Sequence, residues 1–75
     1  MSKADEMFEK LGYKDSPTGY GVKRYKGINY FITFYKHQIR IVPREINDDI
    51  ILDYKEIQAI NEKVKELGWL DDANN

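Results

Sequence analysis

The first residues of the chain carry apolar side chains at the spacing of an amphipathic helix. This stripe consists of Ala4, Met7, Phe8 and Leu11. Gly12 follows the stripe, and glycine is the residue that most readily takes the left-handed conformation that ends a helix. The pattern therefore predicts a helix over residues 3–11, with a contact between Phe8 and Tyr13 just beyond the glycine.

A second helical pattern lies near the C-terminal end, over about residues 53–67. Its apolar stripe consists of Ile57, Ile60, Val64 and Leu67. Asp53 suits the N-cap, and Glu56 stands three residues later, as in a capping box. Gly68 again follows the stripe. We expect the indole of Trp69 to fold back over the last turn of this helix.

Three strands are predicted between the helices, over residues 20–25, 29–35 and 38–42, because β-branched and aromatic residues are frequent there. A two-residue loop at Lys36 and His37 would place Phe34 opposite Ile39 and Ile32 opposite Ile41. That register pairs apolar side chains with apolar side chains. The apolar run at residues 50–52 is consistent with either a fourth strand or an extended entry into the second helix.

The element order α-β-β-β-α predicts an α+β fold, in which two helices pack on one face of a three-stranded antiparallel meander. The chain is long enough for a single domain over residues 1–75. We expect an ordered core over about residues 3–70 and a frayed tail over residues 71–75. The predicted core face of the sheet consists of Tyr20, Val22, Tyr30, Ile32, Phe34, Ile39 and Ile41.

Strand alternation sends a second set of side chains to the other face of the sheet. Two short helices are too little to cover both faces, so this face is expected to be partly exposed. Its candidate binding residues are Lys23, Tyr25, Phe31, Thr33, Tyr35 and Arg40, with Val42 beside them. An exposed aromatic and basic face fits a homodimer, a protein partner or single-stranded nucleic acid. It also fits a solvated tyrosine-rich sheet with no binding role.

The formal net charge of −1 conceals a strong segregation of charge along the chain. Residues 20–45 hold six cations and one acid, whereas residues 46–75 hold eight acids and three lysines. The predicted sheet is therefore basic and the C-terminal third acidic. This pattern fits either neighbouring elements of opposite charge or a basic surface that faces an anionic partner.

The composition argues against the common kinds of catalytic and cofactor site. The chain has no cysteine and a single histidine, His37, which the pattern places in a hairpin turn. The one acidic cluster, residues 47–49 with Asp53, lacks the spacing and the glycine of an EF-hand. We therefore expect no enzyme, no cofactor, no metal site and no small-molecule substrate. No secretory signal or membrane-spanning helix is expected either.

Two segments carry a family resemblance. Residues 4–13, ADEMFEKLGY, and residues 56–69, EIQAINEKVKELGW, resemble small uncharacterised proteins encoded by phages and prophages of Gram-positive bacteria. The resemblance implies a phage or prophage origin and a location in the cytoplasm of the bacterial host. It implies no catalytic residues. The expected role is a non-enzymatic accessory protein that binds a protein partner or forms a homodimer. The alternative is a nucleic-acid-binding domain that uses the basic aromatic face of the sheet.

Overall fold

A computed structural model describes residues 2–18, 22–46 and 49–72. It confirms the α+β class. The helices are α1 (Lys3–Lys10), α2 (Tyr54–Glu66) and the single turn α3 (Trp69–Asp72), and the strands are β1 (Lys14–Asp15), β2 (Lys23–Lys26), β3 (Tyr30–Tyr35) and β4 (Gln38–Pro43). Residues 71 and 72, predicted to fray, thus belong to α3, whereas the rest of that tail lies outside the described residues.

The sheet has four strands in the order β1-β2-β3-β4, and each strand is antiparallel to its neighbours. The prediction of three strands is therefore wrong. The additional strand is β1, in which Lys14 lies opposite Lys26 and Asp15 opposite Tyr25. A two-residue strand is too short to produce an alternation pattern, so β1 could not be predicted from the sequence. Residues 50–52 form neither helix nor strand.

The hairpin between β3 and β4 has the predicted register. Phe34 lies opposite Ile39 and Ile32 opposite Ile41. Lys36 and His37 form the two-residue loop, with φ angles of 52° and 62°. Two consecutive positive φ angles are the geometry of a type I′ turn, whose twist matches that of the flanking strands. The imidazole of His37 stacks on the indole of Trp69 at a centroid distance of 5.2 Å, which helps to hold this unusual turn in place.

The predicted orientation of β2 is wrong. Tyr25 lies opposite Ile32, and Lys23 lies opposite Phe34, so both point to the face that the helices cover. Tyr25 is only 2% exposed, because its ring stacks on Phe8 at a centroid distance of 4.0 Å. This orientation of β2 buries the Tyr25 ring. It therefore removes more apolar area from water than the opposite orientation, in which Tyr25 would point outward. Tyr20, another predicted core residue, lies outside the described residues.

The core is an aromatic cluster centred on Phe8 of α1. The Phe8 ring contacts Tyr13 and Phe34 edge to face, with centroids 5.5 and 6.2 Å away, in addition to its stack on Tyr25. The buried apolar residues are Phe8, Tyr13, Tyr25, Tyr30, Ile32, Phe34, Ala59 and Ile60. These side chains come from both main helices and from one face of the sheet, so the core lies between the two layers.

The end of α1 has the geometry that its sequence predicts. The backbone amide of Tyr13 donates to the carbonyl of Phe8 at 2.9 Å, and that of Gly12 donates to Glu9 at 3.0 Å. These are the two bonds of a Schellman motif, and Gly12 has the expected positive φ of 89°. The Asp53 and Glu56 side chains likewise form the predicted capping box at the start of α2.

The buried face of α2 differs from the predicted stripe. Ile57 is 52% exposed and Leu67 is 39% exposed. The buried residues of this helix are Ala59, Ile60 and Lys63. The small side chain of Ala59 suits close packing in the core, and Lys63 is turned inward toward the carboxylates of α1 and α2. These partners are distant in sequence or polar, so apolar periodicity alone could not reveal this orientation.

Gly27, in the loop between β2 and β3, has the least space for a side chain among the described glycines. A Cβ at this position would lie 2.4 Å from the Tyr13 ring, which is itself held by Phe8 and by a hydrogen bond to Glu56.

We predict that Gly27→Ala lowers the free energy of unfolding by about 1–3 kcal/mol through overpacking. Urea denaturation measures this change. Ile28→Ala, at a side chain that is 77% exposed, should change stability by less than about 0.5 kcal/mol. Equal stability of the two variants would contradict the packing described here.

Candidate functional site

The outer face of the sheet is the side that points away from the helices. Register and alternation assign nine strand residues to this face: Lys14, Arg24, Lys26, Phe31, Thr33, Tyr35, Gln38, Arg40 and Val42. Four of the nine are cationic and none is acidic. None of them belongs to the core cluster or packs against it. Tyr35 is 46% exposed and Val42 is 37% exposed. The outer face is therefore a basic, partly apolar surface.

A row of three residues crosses the middle of the outer face. Arg24 of β2 lies opposite Thr33 of β3, which lies opposite Arg40 of β4. Neighbouring strands are spaced by about 4.8 Å, so the backbones of the two arginines are separated by roughly 10 Å. Thr33 lies between the two arginines in this row. This arrangement offers several hydrogen-bond donors to a ligand rich in anionic oxygen.

Two guanidinium groups lie beside the Phe31 ring on the outer face. The Arg24 carbon Cζ is 5.4 Å from the ring centroid, and that of Arg44 is 5.9 Å away. Arg24 also donates to the Ser16 carbonyl, and Arg44 donates to the Gly27 carbonyl at 2.9 Å. These bonds hold both cations near the ring. They position positive charge before any ligand is present.

The structure brings together four of the six candidate binding residues: Phe31, Thr33, Tyr35 and Arg40 lie on the outer face. Lys23 and Tyr25 do not, because β2 has the opposite orientation. Sequence reasoning missed Lys14, Arg24 and Lys26. For Arg24 and Lys26 alternation gave no preference, and only the stack of Tyr25 on Phe8 turns both of them outward. For Lys14 no signal existed, because β1 is too short.

Lys23 and Tyr25 instead belong to a polar network between the sheet and α1. The Tyr25 hydroxyl donates to the Asp5 carboxylate. The Lys23 ammonium lies 3.5 Å from Asp5 Oδ1 and 3.2 Å from Asp15 Oδ1. Burial raises the pKa of Tyr25 well above its ordinary value, and the hydrogen bond to Asp5 raises it further. The phenol therefore stays protonated and remains a donor.

The same network continues into α2. Lys63, which is only 8% exposed, lies 3.7 Å from Asp5 Oδ1 and 3.4 Å from Glu66 Oε1. The backbone amide of Ala4 donates to Glu66 Oε2 at 2.8 Å. Burial alone would raise the pKa of Asp5, but the hydrogen bond from Tyr25 and the charges of Lys63 and Lys23 outweigh it. The pKa of Asp5 therefore lies below its usual value, and the network ties α1, α2 and the sheet together.

Residues 2–18, 22–46 and 49–72 contain no cluster of three His, Cys, Asp or Glu residues that could hold a metal ion. Asn47 and Asp48, part of the acidic cluster noted in the sequence, lie outside these ranges. In the same ranges every buried side-chain nitrogen and oxygen atom has a hydrogen-bond partner. The charged outer face is thus the main candidate for contact with a ligand.

Comparisons with known protein families, curated proteins and solved structures find no match to this chain. Within the described part of the chain, no helix has both the length and the apolar character needed to cross a membrane.

The lowered pKa of Asp5 predicts a specific dependence of stability on pH. A carboxyl with a lower pKa in the folded than in the unfolded state binds fewer protons when folded. Its stabilising effect is present above the unfolded value and is lost as pH falls through the folded value. We expect the free energy of unfolding to decrease below about pH 4, and we expect Asp5→Asn to reduce that decrease. Urea denaturation across the acid range measures both.

At pH 7, Asp5→Asn should cost about 1–3 kcal/mol, because it removes the charge that faces the buried Lys63. Glu6→Gln is the matched control, since Glu6 is an exposed neighbour on the same helix. A variant Asp5→Asn that is as stable as Glu6→Gln at neutral pH would rule out the structural role of this network.

Proposed function

We propose that this protein is a non-enzymatic binding domain that contacts single-stranded nucleic acid through its outer face. The positive charge of the outer face is the main support for this function. Its nine strand positions hold four cations and no carboxylate, although the whole chain has a net charge of −1. The acidic residues lie in other parts of the molecule. A surface of one sign attracts a ligand of the opposite sign and increases the rate of encounter.

The outer face supplies the two kinds of contact that unpaired nucleic acid requires. Arg24 and Arg40, with the lysines beside them, can contact phosphates without reading the sequence. Tyr35 and Phe31 provide aromatic surface on which bases can stack. The open face of a sheet suits an extended strand better than it suits a duplex, whose major groove admits a helix or a ribbon. The proposed ligand is therefore unpaired DNA or RNA, which the outer face would bind with little sequence preference.

An acidic protein surface is the competing ligand for the outer face. It differs from nucleic acid in offering carboxylates but no bases for stacking. The sequence favoured a protein partner or a homodimer, because it contains no RNP-type motif. With Arg24 and Lys26 on the outer face, charge becomes its dominant feature. The phage or prophage origin stays a separate proposal that rests on the resemblance of the two helical segments alone.

Removal of one outer-face charge should weaken binding and flatten its dependence on salt. For single strands, each phosphate contact contributes about 0.7 to the slope of log affinity against log salt concentration. We therefore predict that Arg40→Gln lowers the slope for an oligothymidine by about 0.7, as measured by fluorescence anisotropy. Lys65→Gln, an exposed position on α2, removes the same charge elsewhere and should leave the slope unchanged. Equal effects of the two variants would show that binding depends on net charge and not on the outer face.

Base stacking on Tyr35 should contribute to nucleic-acid affinity independently of the charge of the outer face. Base stacking on an aromatic side chain contributes about 1–3 kcal/mol per base, so Tyr35→Ala should weaken oligothymidine binding by about 5- to 150-fold. Tyr54→Ala is the matched control, because Tyr54 is a 65% exposed tyrosine on α2. If neither variant changes affinity for the oligonucleotide, and the wild type binds an acidic polypeptide more tightly, the ligand is a protein.

A further inference from the structure

The strand β4 forms an edge of the sheet, and half of its backbone groups point away from β3. The amide of Arg44 donates to the carbonyl of Asn29, which fixes the phase of the hydrogen-bond ladder. In an antiparallel pair, bonded and non-bonded positions alternate. The backbone groups of Ile39, Ile41 and Pro43 therefore point to the open edge. Pro43 has no N–H, so the edge offers two donors and three acceptors.

The helix layer does not extend fully over β4. Phe34 is 2% exposed, whereas Ile39 directly opposite it is 38% exposed. Ile32 is completely buried, whereas its partner Ile41 is only half-buried. The apolar side of β4 thus lies beside a row of backbone groups that bond to no other residue within the described ranges. The opposite edge, β1, has only two residues and offers no comparable surface.

We propose that two copies of this chain pair through β4, antiparallel, with Ile41 opposite Ile41 of the second copy. In this register the two Ile41 residues exchange both of their backbone hydrogen bonds. Each Ile39 amide donates to the Pro43 carbonyl of the second copy. All the donors on both open edges are used, and Pro43 stands where only a carbonyl is needed. The exposed Ile39 and Ile41 side chains of the two copies then cover one another.

Charge selects this register over its neighbour. A shift that centres the pairing on Arg40 uses the same donors but places the two Arg40 side chains opposite each other, which is unfavourable. The proposed register places each Arg40 opposite Val42 of the second copy instead. It also brings Glu45, the one acid in residues 20–45, to the end where the Lys36 turn of the second copy lies. This pair is complementary in charge.

The dimer would form one eight-stranded sheet and place two outer faces side by side. The proposal rests on the edge of β4 and not on the ligand of the outer face, so it can fail or hold independently of nucleic-acid binding. Its test uses nuclease-treated protein with no ligand present.

Sedimentation equilibrium over a wide range of protein concentration tests the proposal. We expect the mass to rise from 8.9 kDa to twice that value. Ile41→Pro removes an outward amide that makes no bond to β3, and it should raise the dimer dissociation constant by about 10- to 100-fold. Ile41→Val keeps the amide and most of the apolar side chain, and it should leave that constant within about threefold.

Amide hydrogen exchange of the wild type gives a second readout that requires no variant. At concentrations where the mass has doubled, the amides of Ile39 and Ile41 should exchange as slowly as those of Arg40 and Val42. On dilution to the monomer they should exchange fast while Arg40 and Val42 stay protected. A mass that stays at 8.9 kDa up to millimolar concentration overturns the proposal. Fast exchange of Ile39 and Ile41 in a dimer overturns it equally, because the copies would then meet elsewhere.

Discussion

The stack of Tyr25 on Phe8 sets the orientation of β2, and the rest of the molecule depends on it. With this ring inward, the Tyr25 hydroxyl reaches Asp5 and the Lys23 ammonium reaches two carboxylates. The same choice turns Arg24 and Lys26 outward. One aromatic contact thus builds both the polar network on the helix side and the basic surface on the other side. With the opposite orientation, Tyr25 would leave the core, and the outer face would hold Lys23 in place of Arg24 and Lys26.

Features governed by residues close in sequence could be predicted. The glycine stop of α1, the capping box of α2 and the β3–β4 register each depend on a few neighbouring side chains, and each is present as expected. Features governed by distant partners could not. The segment around β2 is polar on both faces, so alternation gave no preference. The inward turn of Lys63 becomes favourable only when Asp5, nearly sixty residues away, stands beside it.

Only part of the candidate site could be predicted, because some of its residues are placed by local sequence patterns and others by contacts distant in sequence. Strand β3 consists of aromatic and β-branched residues, and its alternation placed Phe31, Thr33 and Tyr35 correctly. Three of the four cations of the site lie on β1 and β2, whose orientation depends on tertiary contacts. The segregation of charge along the chain was a sound guide to a basic sheet. It could not show that the cations of β2 divide between a paired interior network and an exposed outer face.

Chemical-shift mapping by NMR shows directly whether the outer face is the surface that binds the proposed ligand. Titration of the labelled protein with an oligothymidine should shift the resonances of Arg24, Phe31, Thr33 and Arg40. The resonances of Tyr25, Phe8 and the helices should stay in place, because those residues lie on the covered side. Shifts centred on α2, or no shifts under low-salt conditions, would contradict the account.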